Sequence, residues 1–370
     1  MLKLIHLPLS TYLATGLVIG ICTINLNLIS LCACLLLITF VFIKKQWSLQ
    51  IFNTLLFSTV FGYYLAGLQI NQFNDFKSQI NHQSFNITGV VISCEKIENS
   101  TFRHRLIIKT SLFSNQHKQL AVHTKIAVYT KTIPKTYLGE EIIINNLKFN
   151  FSSDQHFEDY LIKNQLSANA FAANLDFKVL NPGPSFLLDK YKHKILKKIN
   201  NKMSNSTKIM FNSIFAGYKN SHQNQFNELK NEFQTWGIIH YLARSGLHLV
   251  IISTIWQVIC TILQIPIIFS NLIILLFMLL FYALTWSALP FMRALIMIVC
   301  CRICHALKLQ VHLLHILNIS CIFTLLNNPI SIFFLDFQLS FLLTYGLIFF
   351  NEISYMKNKH FPKNSIDCKN

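Results

Sequence analysis

Charge is scarce in this chain, and negative charge scarcest of all. Of 370 residues only 13% are charged, with 15 Asp and Glu against 32 Lys and Arg. So little charge beside 52% hydrophobic residues and a mean hydropathy of +0.43 argues against a chain folded wholly around a water-soluble core. Disulfide scaffolding is also missing. Eight of the ten cysteines (Cys22, Cys32, Cys34, Cys260, Cys300, Cys301, Cys304, Cys321) fall in apolar segments, leaving only Cys94 and Cys368 elsewhere. There is no Gly-rich phosphate loop, no nucleophile elbow and no H-x-H-x-D-H metal cluster. ATP hydrolysis and metal-dependent hydrolysis are disfavoured, so no enzyme activity, metal or cofactor is expected.

Long apolar runs are what the sequence does have. A membrane span needs about 20 mostly apolar residues, and eight candidates occur near 5–24, 26–43, 50–70, 236–263, 267–286, 289–307, 311–327 and 330–350. The first has no small-x-small cleavage site and reads as a retained helix. Asn328-Pro329 implies a tight hairpin before the last. With both termini inside, Lys44 and Lys45, Arg302 and Lys308, and Lys357, Lys359 and Lys363 all face the cytoplasm, as the positive-inside rule requires. The expected fold is a polytopic α-helical protein of the cytoplasmic membrane, with residues 71–235 outside. Its parts are 1–70 (helices), 71–182 (β-domain), 183–235 (basic linker helices), 236–350 (second helical domain) and 351–370 (basic cytoplasmic tail).

Within the outer segment, runs at 85–93, 102–110, 119–130 and 136–149 are rich in β-branched residues and separated by polar turns. Gly89 suggests a bulge where a small barrel turns a corner. With a short helix at 157–165, the size suits an OB-like barrel or another small antiparallel sandwich. Asn181-Pro182-Gly183-Pro184 ends the domain. Beyond it Leu188, Tyr191, Ile195, Ile199 and Met203 recur at helical spacing, and 183–235 holds nine lysines against Asp189, Glu228 and Glu232. This is either a basic amphipathic helix lying on the outer leaflet or a solvated connector.

Polar residues inside apolar runs are the candidates for function, because ionisable groups at bilayer depth are costly. His240, Arg244 and His248 recur at i, i+4 and i+8 and form one stripe. Arg293 and Asp336 enter their spans at similar depth and are expected to pair; Gln338 and Ser340 extend the polar set. Cys301-Arg302-Ile303-Cys304-His305 fits the haem-attachment pattern, but it lies at the cytoplasmic end of an apolar helix, where packing is the better reading. His312 and His315 are expected to make interhelical contacts.

The run His240-Tyr241-Leu242-Ala243-Arg244-Ser245-Gly246-Leu247-His248, preceded by Gly237, resembles the H-L-L-A-I-S-G-L-H signature of the ComEC family of DNA-uptake proteins. Pro290-Phe291-Met292-Arg293-Ala294 with Met297 is similar to that family's P-x-x-R-A-x-x-M element, and Phe337-Gln338-Leu339-Ser340-Phe341 to its F-Q-L-S-F element. Leu138-Gly139-Glu140 and Phe157-Glu158-Asp159-Tyr160-Leu161 resemble parts of its OB-like insert. Arg244, and Thr285-Trp286-Ser287, depart from the usual pattern. The resemblance implies a channel component moving single-stranded DNA inward, with a path lined by His240, Arg244, Ser245, Gly246, His248, Arg293, Asp336, Gln338 and Ser340. Typical members continue into further helices and a metallo-β-lactamase-like domain, so the chain is expected to be a shortened form. The expected partners are single-stranded DNA, the lipid bilayer, and either further copies or a separate chain supplying helices and a nuclease. Two other readings stand beside the channel: a non-conducting remnant or assembly subunit of a split DNA-uptake channel, and an intramembrane enzyme using His240 and His248.

Overall fold

The computed structural model describes residues 9–24, 28–45, 49–80, 83–96, 102, 104–115, 118–120, 123–131, 140–149, 151, 155–172, 176–180, scattered positions from 191 to 211, 231–236, 246–284, 289–309 and 311–360. Among them are nine α-helices: α1 (Leu9–Thr23), α2 (Leu28–Lys45), α3 (Leu49–Ile80), α4 (Gln155–Lys163), α5 (Gly246–Ile262), α6 (Ile267–Leu284), α7 (Leu289–Ala306), α8 (Leu313–Asn327) and α9 (Leu335–His360). Two compact units form. One comprises residues 1–66, 265–271 and 292–370, the other 67–264 and 272–291.

The first unit is helical. Gly16 and Gly20 of α1 meet Ser58 and Thr59 of α3, and Gly62 of α3 meets the Leu17 backbone, so closely that a Cβ on Gly20 would stand 1.9 Å from the Thr59 carbonyl oxygen. Small residues let backbones approach where no hydrophobic effect drives helices together. Between α8 and α9 the expected tight hairpin is instead a 3-10 turn, Pro329–Phe333, with proline in its first turn where a missing N–H costs nothing. Leucine covers the outside of α9: Leu339, Leu342, Leu343, Leu347 and Phe350 are all at least half exposed.

Eight spans were expected. Among the described residues α3 is the one helix long and apolar enough to cross a membrane, and five further apolar helical stretches are shorter. α1 and α8 have 15 residues each and α5 has 17. At about 1.5 Å per residue these fall short of a core about 30 Å thick.

The second unit holds a seven-stranded sheet: β1 (Ser84–Lys96), β2 (His104–Asn115), β3 (Lys118–Leu120), β4 (Lys125–Thr130), β5 (Glu141–Lys148), β6 (Ala168–Ala172) and β7 (Phe177–Leu180). β1 pairs antiparallel with β2 and β5, β2 with β4, and β4 runs parallel to β6. An antiparallel bridge between Phe149 and Ala170 brings the end of β5 to β6, closing the ring β1-β2-β4-β6-β5. The register shifts at Thr88/Gly89, as the glycine suggested, and a Cβ there would stand 2.6 Å from the Lys109 carbonyl oxygen. The expected run at 119–130 is divided into β3 and β4, because β3 pairs with the tip of β2 while β4 pairs with its base.

Aromatic residues fill this barrel. Phe85, Phe113 and Phe149 are fully buried, with ring centroids 6.0 to 6.4 Å apart. α3 runs ten residues beyond the expected end of its span for the same reason. Phe73 and Phe76 meet Phe151 and Phe113 edge-on, and Ile80 is fully buried, so packing into the barrel carries the helix on. Lys77 pairs with Glu158 of α4, and its ammonium lies over Phe151. In the same unit Trp256 of α5 packs on Phe277 of α6 at 4.8 Å.

Candidate functional site

Helix α9 carries the densest set of interacting polar groups in the helical unit. Arg293, in the second turn of α7, donates from Nη1 to Thr344 Oγ1 at 2.5 Å, and its guanidinium lies 5.8 Å from the Phe341 ring centre. Thr344 in turn donates to the Ser340 carbonyl one turn back. Tyr345, the next residue, points another way and donates to Asn318 Oδ1 of α8 at 2.5 Å. Asn318 is fully buried, and its Nδ2 donates to Ser10 Oγ and Thr11 Oγ1 of α1 at 3.1 and 2.8 Å. Ser10 also bonds His315 Nδ1 at 2.8 Å.

An open cavity of about 470 Å³ adjoins this seam, lined by His312, Leu313, Thr344, Leu347, Ile348 and Asn351. Thr344 belongs to both, so the polar groups run from Arg293 along α9 to Asn351. On the far side of α7, Asn271 of α6 contacts His305 Nδ1 at 3.1 Å and accepts from Arg302 at 3.4 Å.

The expected Arg293–Asp336 pair does not form. Asp336 is exposed in the first turn of α9, where its charge complements the helix N-terminus, while Arg293 reaches further along the helix to Thr344. Gln338 donates to the Ile332 carbonyl and so ties the 3-10 turn to α9. Ser340 lies beside the Arg293 contact. His240, Arg244 and Ser245 lie outside the described residues; Gly246 opens α5, and His248 is half-buried in its first turn within the second unit. His315 makes the interhelical bond expected of it. Asn318, Thr344 and Tyr345 went unmarked in the sequence, although Asn318 stands alone among apolar neighbours and Ser340 and Thr344 share a face at i, i+4 spacing.

The sheet unit offers a second surface. Arg105 of β2, Tyr129 of β4 and Phe171 of β6 stand in one cross-strand row, where Tyr129 is buried beside Phe157 of α4, Arg105 donates to the Tyr160 hydroxyl and Phe171 is exposed. Tyr129 and Phe171 stack at 4.9 Å, Phe102 abuts Phe171 at 5.2 Å, and Lys131 lies over Phe102. Four residues along the strands, Lys109 and Lys125 are directly opposed. Protein crowding around the Lys125 ammonium, reinforced by Lys109, holds its pKa below the usual lysine range, although the residue as a whole is exposed. Like charges so placed repel, and a phosphate between them would relieve both.

Residues 219–368 match the Competence protein family. No curated protein and no solved structure matches the chain. The matched region contains α5 to α9 and with them the whole α7–α9 contact. It supports a role in competence and DNA uptake and, through the family, association with a membrane. Apolar outer faces, of isoleucine and valine on α5, of isoleucine and leucine on α6 and of leucine on α9, agree, since apolar surface of that extent suits lipid contact.

Proposed function

We propose that the chain is a component of a membrane channel that moves single-stranded DNA across the cytoplasmic membrane during DNA uptake. The observation that carries this reading is the seam on α9: a guanidinium, hydroxyls and an adjoining cavity among helices whose outer faces are apolar. Groups so costly to hold among apolar helices are retained where something polar passes. On this reading all eight apolar runs cross or enter the bilayer, residues 71–235 lie outside, and lipid surrounds the helices.

The outer domain gathers the strand. Its ring order, with one parallel pair, supports an OB-like barrel, and its basic and aromatic row suits backbone and bases together. No chemistry on the DNA is assigned to this chain.

Uptake of fluorescent single-stranded DNA into cells expressing the chain, against cells lacking it, tests the function, and equal uptake would refute it. Reporter fusions after residue 150 should report the outside, and fusions after Lys45 and Lys359 the cytoplasm; an internal signal at 150 removes the capture role. Lys125→Gln should weaken DNA binding by the full chain at low salt and flatten its salt dependence, because one phosphate contact is lost. It should also stabilise the barrel near neutral pH. A lysine with a lowered pKa binds its proton less well folded than unfolded, so its stability penalty is present at neutral pH and is relieved as pH rises through the folded value. Unchanged salt dependence would exclude Lys125 from the binding surface.

A further inference from the structure

Arg293 carries an uncompensated charge. Its Nε is shielded from solvent and has no hydrogen-bond partner, and among the described residues no carboxylate lies within ion-pair distance. The first unit has very few to offer: in residues 1–66, 265–271 and 292–370 the acids are Asp336, Glu352 and Asp367. Ser340 Oγ, one helical turn before Thr344, is likewise shielded and unpartnered. A half-buried cation reaching α9 from α7 with its Nε shielded, and a shielded hydroxyl on α9, are each expensive to leave open, and together they present donors with no acceptor among the described residues. Thr344 holds Nη1 and Phe341 holds the face of the guanidinium, so the group is fixed with its Nε edge unpartnered. That edge is the fork that takes a phosphate or carboxylate through two parallel hydrogen bonds.

We infer that Arg293, Ser340 and Thr344 form an anion site that takes the phosphodiester groups of a nucleic-acid strand one at a time. The inference rests on the channel reading above and gives it a specific contact. Phosphate also occurs in lipid headgroups, but Thr344 lies nine residues beyond the start of α9, about 13 Å along the helix axis. That is deeper than a headgroup normally sits, whereas a translocating backbone reaches it. The cavity beyond Thr344 gives the phosphate an exit.

The test uses the full chain in a phosphate-free maltoside detergent, followed by thermal unfolding with added inorganic phosphate, thymidylyl-thymidine or phosphatidylglycerol. Phosphate stabilises many proteins without binding, so the quantity read is the difference between wild type and R293M. Wild type should gain several degrees with phosphate, as ligand linkage requires. R293M should melt no lower than wild type in anion-free buffer, having lost a buried charge, and should show no gain. R293K should keep part of the gain, and S340A should reduce it without lowering the starting temperature. If R293M does not accumulate, wild type and S340A carry the test, and an unchanged gain in S340A overturns the site. R293M melting lower in every buffer with the same gain as wild type also overturns it, leaving Arg293 a structural contact. A gain with the dinucleotide but not with phosphatidylglycerol supports a strand path. The reverse keeps the anion site and rejects the DNA reading.

Discussion

Replacing Gly20 by valine should remove nearly all folded protein from the membrane. Even the first added carbon would lie 1.9 Å from the Thr59 carbonyl oxygen and 2.9 Å from the Tyr63 backbone nitrogen, so α1 and α3 must separate. Overpacking a well-packed site ordinarily costs about 1–3 kcal/mol, and a clash with backbone cannot be relieved by a rotamer change. Gly16→Ala should be milder, because its nearest neighbour is the Ser58 hydroxyl, and Ser58→Ala should recover part of the loss. Gly346→Val is the matched control: it lies in α9 with nothing within 4 Å. The measurement is the monodisperse fraction of a fluorescent fusion on size-exclusion in detergent. A normal peak for Gly20→Val would contradict the α1–α3 contact.

That contact shows where sequence reading stops. Gly16 and Gly20 stand four apart in an apolar run, a spacing that was present to be read, but only the partner helix shows that Ser58, Thr59 and Gly62 supply the complementary face. The strands were more legible, because alternation is local: His104, Leu106, Ile108 and Thr110 are buried while Lys109 is exposed. α6 begins where the apolar run begins, since there composition alone decides. α3 was not bounded correctly, because Phe73, Phe76 and Ile80 extend it through contacts with strands far along the chain. The Arg293–Asp336 expectation failed for a related reason. Equal depth places two residues at one level, but a long side chain contacts what lies along its reach, and for Arg293 that is Thr344 and Phe341.

Asn318 should prove the most important uncharged polar side chain in the helical unit. Its amide ties α1, α8 and α9 at one point, accepting from Tyr345 and donating to Ser10 and Thr11. Asn318→Leu leaves the hydroxyls of Thr11 and Tyr345 seeking other partners among apolar neighbours, while Ser10 keeps His315. Hydrogen bonds within membranes average about 0.6 kcal/mol, whereas orphaned buried groups cost about 1–3 kcal/mol; together these put the loss at about 2–4 kcal/mol. Tyr345→Phe removes one hydroxyl and keeps the ring, so about 1 kcal/mol is expected. The two changes share a bond and should not add: once Asn318 is gone, deleting the Tyr345 hydroxyl removes an orphan instead of a contact. In a double-mutant cycle read from denaturant unfolding in detergent, the Asn318→Leu and Tyr345→Phe pair should therefore be more stable than the sum of its parts predicts, by about 0.5–1.5 kcal/mol. Strict additivity would mean that Tyr345 finds its partner elsewhere, and that α1 and α9 are not joined through Asn318.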